Sequence, residues 1–375
     1  MRPLKMVDLE LERRFLGPRL EAALQAVLDH TQFIRGPEVQ QFAQELGAYL
    51  GGVAVVPCAN GTDALQLALM ALDLKPGDAV IVPAFTYVAT AEVAALLRLE
   101  VRWVDVSLEH FNLLPEKLEA AYSPRVKAII PVHLFGQSAP MQEILEFARL
   151  KGLAVVEDVA QALGAEYRLP SGQWVKVGTI GNVGCTSFFP SKNLGCYGDG
   201  GALFTRDKAL ATRLARIANH GQDTLYEFAE VGINSRLDTL QAAILRLKLP
   251  YLDEFNARRQ AAADLYDAFF ADLEALQRPV RVPWSTHIFH QYTLRVLDKR
   301  RDALRAYLQE RGIPAMVYYP KPLHLQPAYR SPEYPPGSFP NAERLAEEVI
   351  SLPMHPFLSE DQLYYIGETV RAFFR

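Results

Sequence analysis

Apolar residues in the first 245 positions of the chain switch repeatedly between two spacings. Asn60-Gly61-Thr62-Asp63 precedes ALQLALMALDL, whose helical spacing ends at Lys75-Pro76-Gly77-Asp78. Short unbroken apolar runs follow at 79–82, 101–104, 128–132 and 153–156, the pattern of strands buried on both faces. Helical patterns at 90–98, 115–122 and 141–151 separate them. This alternation predicts an α/β fold in which helices cover both faces of a mostly parallel sheet.

The pattern changes near residue 245. A long charged helical stretch over 247–270 contains Pro250, where a kink is expected. A strand is predicted at 290–296, a helix at 301–311, a Pro- and Tyr-rich stretch at 314–340, and a helix at 341–350. The aromatic content of 314–340 favours an ordered loop facing a ligand over a disordered linker. The expected division is a large α/β domain, 1–245, then a connecting helix and a small C-terminal α+β domain, 246–375.

Composition narrows the function classes. In 375 residues the net charge is −4, with no basic block of the kind that binds nucleic acid or an acidic membrane. Three scattered cysteines argue against a disulfide framework, and no CxxC pair suggests zinc. His287 and His290 lack carboxylate or cysteine partners nearby in the sequence, so no metal is expected there. The N-terminal residues lack a hydrophobic signal core, and no apolar run reaches the roughly 20 residues that cross a bilayer. A cytoplasmic protein is expected.

Four segments carry candidate chemistry. Gly61, Thr62 and Asp63 open a helix, and a helix start binds phosphate through unpaired N–H groups; an ordinary cap by Asn60 or Thr62 is the bland alternative. Asp158 and Gln161 follow the apolar run 153–156, where open α/β sheets place active-site residues; Asp158 alone reads equally as a helix cap. Ser187 and Lys192 lie in TSFFPSKN, ahead of the glycine-rich GCYGDGGA. A lysine attacks carbonyls only when neutral, which two phenylalanines and a tight turn would favour, although a lone lysine is ordinarily solvated. Asn234 and Arg236 lie in GINSRLD, which by itself reads as a capping sequence. Taken together these segments supply a phosphate cradle, a carboxylate for a pyridinium nitrogen and a lysine for a Schiff base, the parts of a pyridoxal phosphate site.

Over about residues 7–358 the motifs GPEV, NGTDAL, PAFTYVATAEV, VEDVAQALGA, SFFPSKNLGCYGDGGA, GINSRLDTLQAAIL, HQYTLR, YYPKPLHLQPAY and SLPMHP resemble the DegT/DnrJ/EryC1/StrS sugar aminotransferases. The resemblance implies the aspartate-aminotransferase-like fold of pyridoxal-phosphate transferases (fold type I) and pyridoxal 5'-phosphate as cofactor. It makes Lys192 the Schiff-base lysine and proton shuttle, Asp158 the partner of the ring nitrogen, and Gln161 the neighbour of the 3-hydroxyl. Tyr87 matches the aromatic that stacks on the ring, while Thr62, Asp63 and Ser187 match the phosphate binders. Asn234 matches a residue reaching the partner subunit's cofactor, which implies a homodimer with shared active sites. Arg236, Tyr319 and His324 match substrate contacts; for Arg236 an ion pair with Asp238 or Glu230 is the structural alternative.

The implied reaction moves an amino group from glutamate to a nucleotide-linked keto sugar in two half-reactions. GCYGDGGA with GINSRLD is similar to members acting at the 3-position of UDP-2-acetamido-3-keto-hexoses in lipopolysaccharide or other surface-polysaccharide synthesis. A 4-keto sugar (dTDP- or UDP-linked) or a cyclitol is the alternative acceptor. Tyr318 stands where relatives acting on 3-keto hexuronates often carry histidine, which counts against a uronate. Lysine at 192 opposes the dehydrase branch of the family, in which histidine replaces it.

Overall fold

The structure is a computed structural model and describes residues 3–375. Its centre is a seven-stranded sheet of β1 (Ala54–Cys58), β2 (Ala79–Pro83), β3 (Glu100–Val104), β4 (Val126–Ile129), β5 (Ala154–Asp158), β6 (Val183–Ser187) and β7 (Gly201–Thr205). The spatial order is β1-β7-β6-β5-β4-β2-β3. From β6 through β5, β4 and β2 to β3 the neighbours are parallel. β7 runs antiparallel to both β6 and β1. All five residues of β2 are buried, as its unbroken AVIVP requires of a strand covered on both faces. β1 is an edge strand, which is why Pro57 is tolerated in it.

Three helices, α1 (Leu9–Leu16), α2 (Pro18–His30) and α3 (Pro37–Tyr49), precede the sheet. α4 (Gly61–Ala71) follows β1, α5 (Ala89–Leu96) follows β2, and α6 (Met141–Lys151) leads into β5. Two apolar clusters cover the sheet's faces. One gathers Leu65, Val80, Val82 and Val156; the other gathers Phe42, Ile81, Ile129 and Leu245.

After α7 (Lys208–Ile217) comes α8 (Thr239–Lys248). The single long helix expected at 247–270 is in fact broken: a 3₁₀ turn at Leu249–Tyr251 separates α8 from α9 (Leu252–Phe269). Pro250 lies in that turn, where its missing N–H and its ring forbid a continuous α-helix. A three-stranded antiparallel sheet, β8 (Leu276–Gln277), β9 (Tyr292–Val296) and β10 (Val349–Leu352), packs with α10 (Arg301–Glu310) and α12 (Glu360–Phe374) around a third core. α11 (Pro340–Glu348) ends two residues before the expected boundary, because Val349 and Ile350 already pair with Arg295 and Leu294 in β10. Leu323, Phe339, Ala342 and Leu345 pack into the core of the large sheet, so the stretch 323–349 ties the C-terminal part to it.

No helix among the described residues is long and apolar enough to cross a membrane.

Candidate active site

The parallel strands deliver their carboxyl ends to one edge of the sheet, and most of the singled-out residues gather there. Side chains alternate along β5, so Glu157 and Asp158 point to opposite faces. Glu157 is fully buried and accepts from His133 Nε2 at 2.9 Å and from the amides of Gly178, Ile180 and Gly181 at 2.7, 2.8 and 2.6 Å. His133 Nδ1 accepts from Ala139 N at 3.0 Å, which places the ring proton on Nε2. This braced residue fixes the strand end on which Asp158 sits. Asp158 accepts from Thr90 Oγ1 at 2.9 Å and from Ala160 N at 3.1 Å. Burial pushes its carboxyl above the usual range, against the lowering effect of these two donors and of the Lys192 charge.

Lys192 occupies a tight loop between β6 and β7. Phe188 N donates to Gly200 O at 2.7 Å, Lys192 N to Phe189 O, and Cys196 N to Phe188 O, both at 2.8 Å. The turn needs glycine at 195, where a Cβ would lie 2.5 Å from Pro190 O. Only one of the two expected phenylalanines shields the lysine's loop: Phe188 is buried against Phe42, whereas Phe189 is half exposed. Part of the Lys192 surface stays open, yet burial around its ammonium lowers the pKa to about 8, with Asp158 opposing the shift. A substantial fraction of the amine is therefore neutral near physiological pH.

The start of α4 closes another side of the cleft. Asn60 caps it by accepting from Asp63 N at 2.8 Å, leaving the first turn's remaining amides free to face a ligand. Gly61 lies against Ser187; a Cβ there would sit 2.6 Å from Ser187 Cβ. Backbone N–H groups of Gly61 and Thr62 and the Ser187 hydroxyl are thus brought beside one another, with the Asp63 amide taken by the cap, a fitting cradle for a phosphate.

Gln161 Oε1 accepts from Phe135 N at 2.8 Å, and its Nε2 donates to the Tyr319 hydroxyl at 3.0 Å. Tyr319 comes from the Pro/Tyr loop and stands 6.2 Å, ring to ring, from the exposed Tyr87. Burial raises the Tyr319 phenol, keeping it protonated. The loop is folded, as expected, and reaches the cleft through Tyr319, while Tyr329 packs on Trp103 and Tyr334 on Phe339.

His324 departs from expectation. It is completely buried, with Nε2 3.1 Å from Glu343 Oε1 and its ring edge-on to Phe339. Glu343 also accepts from Gly337 N at 2.8 Å, so His324 clips the loop shut behind Tyr319 instead of lining the cleft. The Asn234–Ser235 pair does not cap a helix either: Asp238, the last residue of GINSRLD, holds the N-cap position of α8 without a side-chain bond, and the Ser235 hydroxyl instead accepts from Ala59 N at 3.0 Å, beside the phosphate cradle. Asn234 is exposed. Arg236 has no ion-pair partner among the described residues, since Glu230 is held by Arg213 and Arg216. With Arg35 and Asn219, Arg236 lines a cavity of about 320 Å³ that includes none of Asp158, Gln161 and Lys192.

Thr90, His133 and Glu157 were missed in the sequence. His133 and Glu157 carry the signal used for Asp158, a polar side chain at the end of an apolar run. Thr90 had none, because a threonine in the first turn of a helix is commonplace.

The model of the DegT/DnrJ/EryC1/StrS aminotransferase family matches residues 16–371. The chain belongs to this family. It is similar to the UDP-2-acetamido-2-deoxy-3-oxo-D-glucuronate aminotransferase of Pseudomonas aeruginosa, 45% identical over 95% of this chain and 96% of that one. It is 42% identical to the UDP-N-acetyl-3-dehydro-alpha-D-glucosamine 3-aminotransferase of Acidithiobacillus ferrooxidans, over 98% and 96% of the two chains. Among solved structures, S. venezuelae DesV superposes with a TM-score of 0.95 at 40% identity, over 100% of this chain and 99% of that one. The fold is therefore the aspartate-aminotransferase-like type, and the protein is an aminotransferase.

Proposed function

We propose that the protein transfers an amino group from glutamate to the 3-position of a UDP-linked 2-acetamido-3-keto-hexose, in the synthesis of a surface polysaccharide. The observation that carries the aminotransferase site is a desolvated lysine amine, Lys192, coupled to a buried carboxylate, Asp158, at the carboxyl edge of the sheet. The names of the two curated relatives, which both aminate UDP-linked 3-keto sugars, support the choice of acceptor.

The cofactor of the family is pyridoxal 5'-phosphate, and the residues present fit it. Gly61, Thr62, Asp63 and Ser187 would hold its phosphate, Asp158 its ring nitrogen, Tyr87 one ring face, and Lys192 its aldehyde carbon. When bound, it supplies an electron sink for the carbon losing or gaining a proton. The protein's share is positional and acid–base. A carboxylate in this buried position is destabilised unless a cation pairs with it, so Asp158 favours a protonated ring nitrogen over a bare one. Lys192, neutral in part near pH 8, takes a proton from the donor's α-carbon and returns one to the acceptor's carbon. Gln161, fixed by Phe135 N, orients the Tyr319 hydroxyl above the same edge. His324 and Glu343 keep the Tyr319 loop folded and do not touch substrate.

The working unit in this reading is a cytoplasmic homodimer in which Asn234 serves the partner's site and Arg236 meets the nucleotide diphosphate. Its support is an exposed apolar arm next to these residues, carrying Leu225, Tyr226, Phe228 and Val231. We place the division between the two domains near residue 245, just before the turn around Pro250.

The decisive experiment offers the purified holoenzyme glutamate with UDP- and dTDP-linked 3-keto and 4-keto sugars, uronate and non-uronate, and follows 2-oxoglutarate. Turnover is expected with UDP-linked 3-keto sugars. Activity confined to 4-keto sugars or to scyllo-inosose would overturn the assignment.

A further inference from the structure

Asn193, the residue after Lys192, is only 7% exposed and joins three distant parts of the chain. Its Nδ2 donates to Asn256 Oδ1 at 2.7 Å and, more weakly, towards Ile288 O at 3.5 Å. Its Oδ1 lies 3.0 Å from His290 Nδ1. Asn256, on α9, donates in turn to Leu163 O at 3.4 Å, two residues beyond Gln161. Backbone carbonyls only accept, so Leu163 O and Ile288 O fix which way both carboxamides point. With Asn193 Oδ1 facing the imidazole, His290 must carry its proton on Nδ1.

The imidazole is also neutral. It is buried, and burial together with the positive charges of Lys192 and Arg259 holds its pKa well below the ordinary histidine range. A protonated ring here would set a second cation beside the lysine and raise the cost of charging it. A neutral ring donates the same hydrogen bond without that penalty.

We propose that His290, Asn193 and Asn256 are positioning residues for Lys192, fixing the direction of its amine toward Asp158 and thereby its proton affinity. The chain of bonds runs from the Gln161 turn through the connecting helix to the lysine loop and on to the segment entering β9. It couples the ring-nitrogen side of the site to the lysine side. None of the three residues touches substrate in this scheme. The inference rests on the reading of Lys192 as the residue that holds the cofactor.

The test uses holoenzyme of the wild type, His290→Ala, His290→Asn, Asn256→Ala and Lys192→Ala. The measurements are the pH midpoint of the bound cofactor's visible absorbance, kcat and KM for glutamate, and the thermal midpoint. His290→Ala and Asn256→Ala are expected to shift the pH midpoint by at least about one unit and to lower kcat up to about 10²-fold, with little change in KM. His290→Asn retains an N–H donor near Nδ1 and is expected to recover most of both. A lower thermal midpoint with unchanged pH midpoint and kcat would make the network merely structural and overturn the proposal. Should Lys192→Ala still hold cofactor covalently after borohydride reduction and denaturation, the reading of Lys192 itself fails. Loss of that attachment, with His290→Ala behaving as wild type, sinks only the present inference.

Discussion

Lys192 is a charged residue that the fold destabilises in one protonation state, and that has a consequence for stability. In the unfolded chain its amine titrates near 10.5; in the fold it does so near 8. Between those values the unfolded chain holds the extra proton, so the stability of cofactor-free protein rises with pH across that window. Below about pH 8 both states are charged and the desolvation penalty is present in full. Cofactor-free Lys192→Met is therefore expected to melt above cofactor-free wild type at pH 7, with the gap closing between pH 8 and 10.5. Scanning fluorimetry of both proteins across that range is the check; a gap independent of pH would show that desolvation of the ammonium is not its source. The sequence exposed the lysine through its company, in particular Asp158 and Ser187. It could not expose Asn193–His290–Asn256, because those bonds join residues up to 97 positions apart and each residue type is unremarkable where it stands.

At the scale of elements, the junction of α4 and β6 shows why backbone proximity and residue choice go together. Gly61 begins the helix and Ser187 ends the strand, and the two are close enough that a methyl group on Gly61 would overlap Ser187 Cβ at 2.6 Å. Gly61→Ala must push one of them away, at a cost of about 1–3 kcal/mol for overpacking. Because the displaced groups are the proposed phosphate donors, the loss falls on the cofactor: its Kd is expected to rise at least about tenfold, equivalent to about 1.4 kcal/mol. Fluorescence titration of cofactor-free protein measures this, and an unchanged Kd would move the phosphate elsewhere. The four strands β2 to β5 were legible because each is a short apolar run bounded by turn residues, with little polar face for water. β1, β6 and β7 were not, since AVVPC carries a proline, VGCTS mixes glycine with hydroxyl residues, and GALFT follows directly on a glycine turn. β1 pairs with β7, and β7 with both β1 and β6, a tertiary effect outside any local window. The break at Pro250 was readable as a kink, but its extent depended on how α9 packs against the small sheet.

At the scale of the whole molecule, GINSRLD is the segment whose meaning a single chain leaves open. Its Asn–Ser pair does not take the expected capping role, which falls to the position of Asp238: Ser235 binds Ala59 N, while Asn234 and the neighbouring apolar arm face outward. An Asn–Ser pair that does not cap, next to exposed Leu225, Tyr226 and Phe228, fits a surface built for a second copy. If Asn234 completes the partner's site, two separate defects should complement each other. Lys192→Ala and Asn234→Ala homodimers are each expected to be nearly inactive. A mixed dimer places both defects in one shared site and leaves the other site whole. Equal mixing with free subunit exchange gives half mixed dimers, each with one intact site, so activity should recover to about one quarter of wild type. Were Asn234 to serve its own subunit's site, every site in the mixture would carry one defect and nothing would recover. Measuring turnover before and after exchange, with the fraction of mixed dimer read by native mass spectrometry, separates the two geometries.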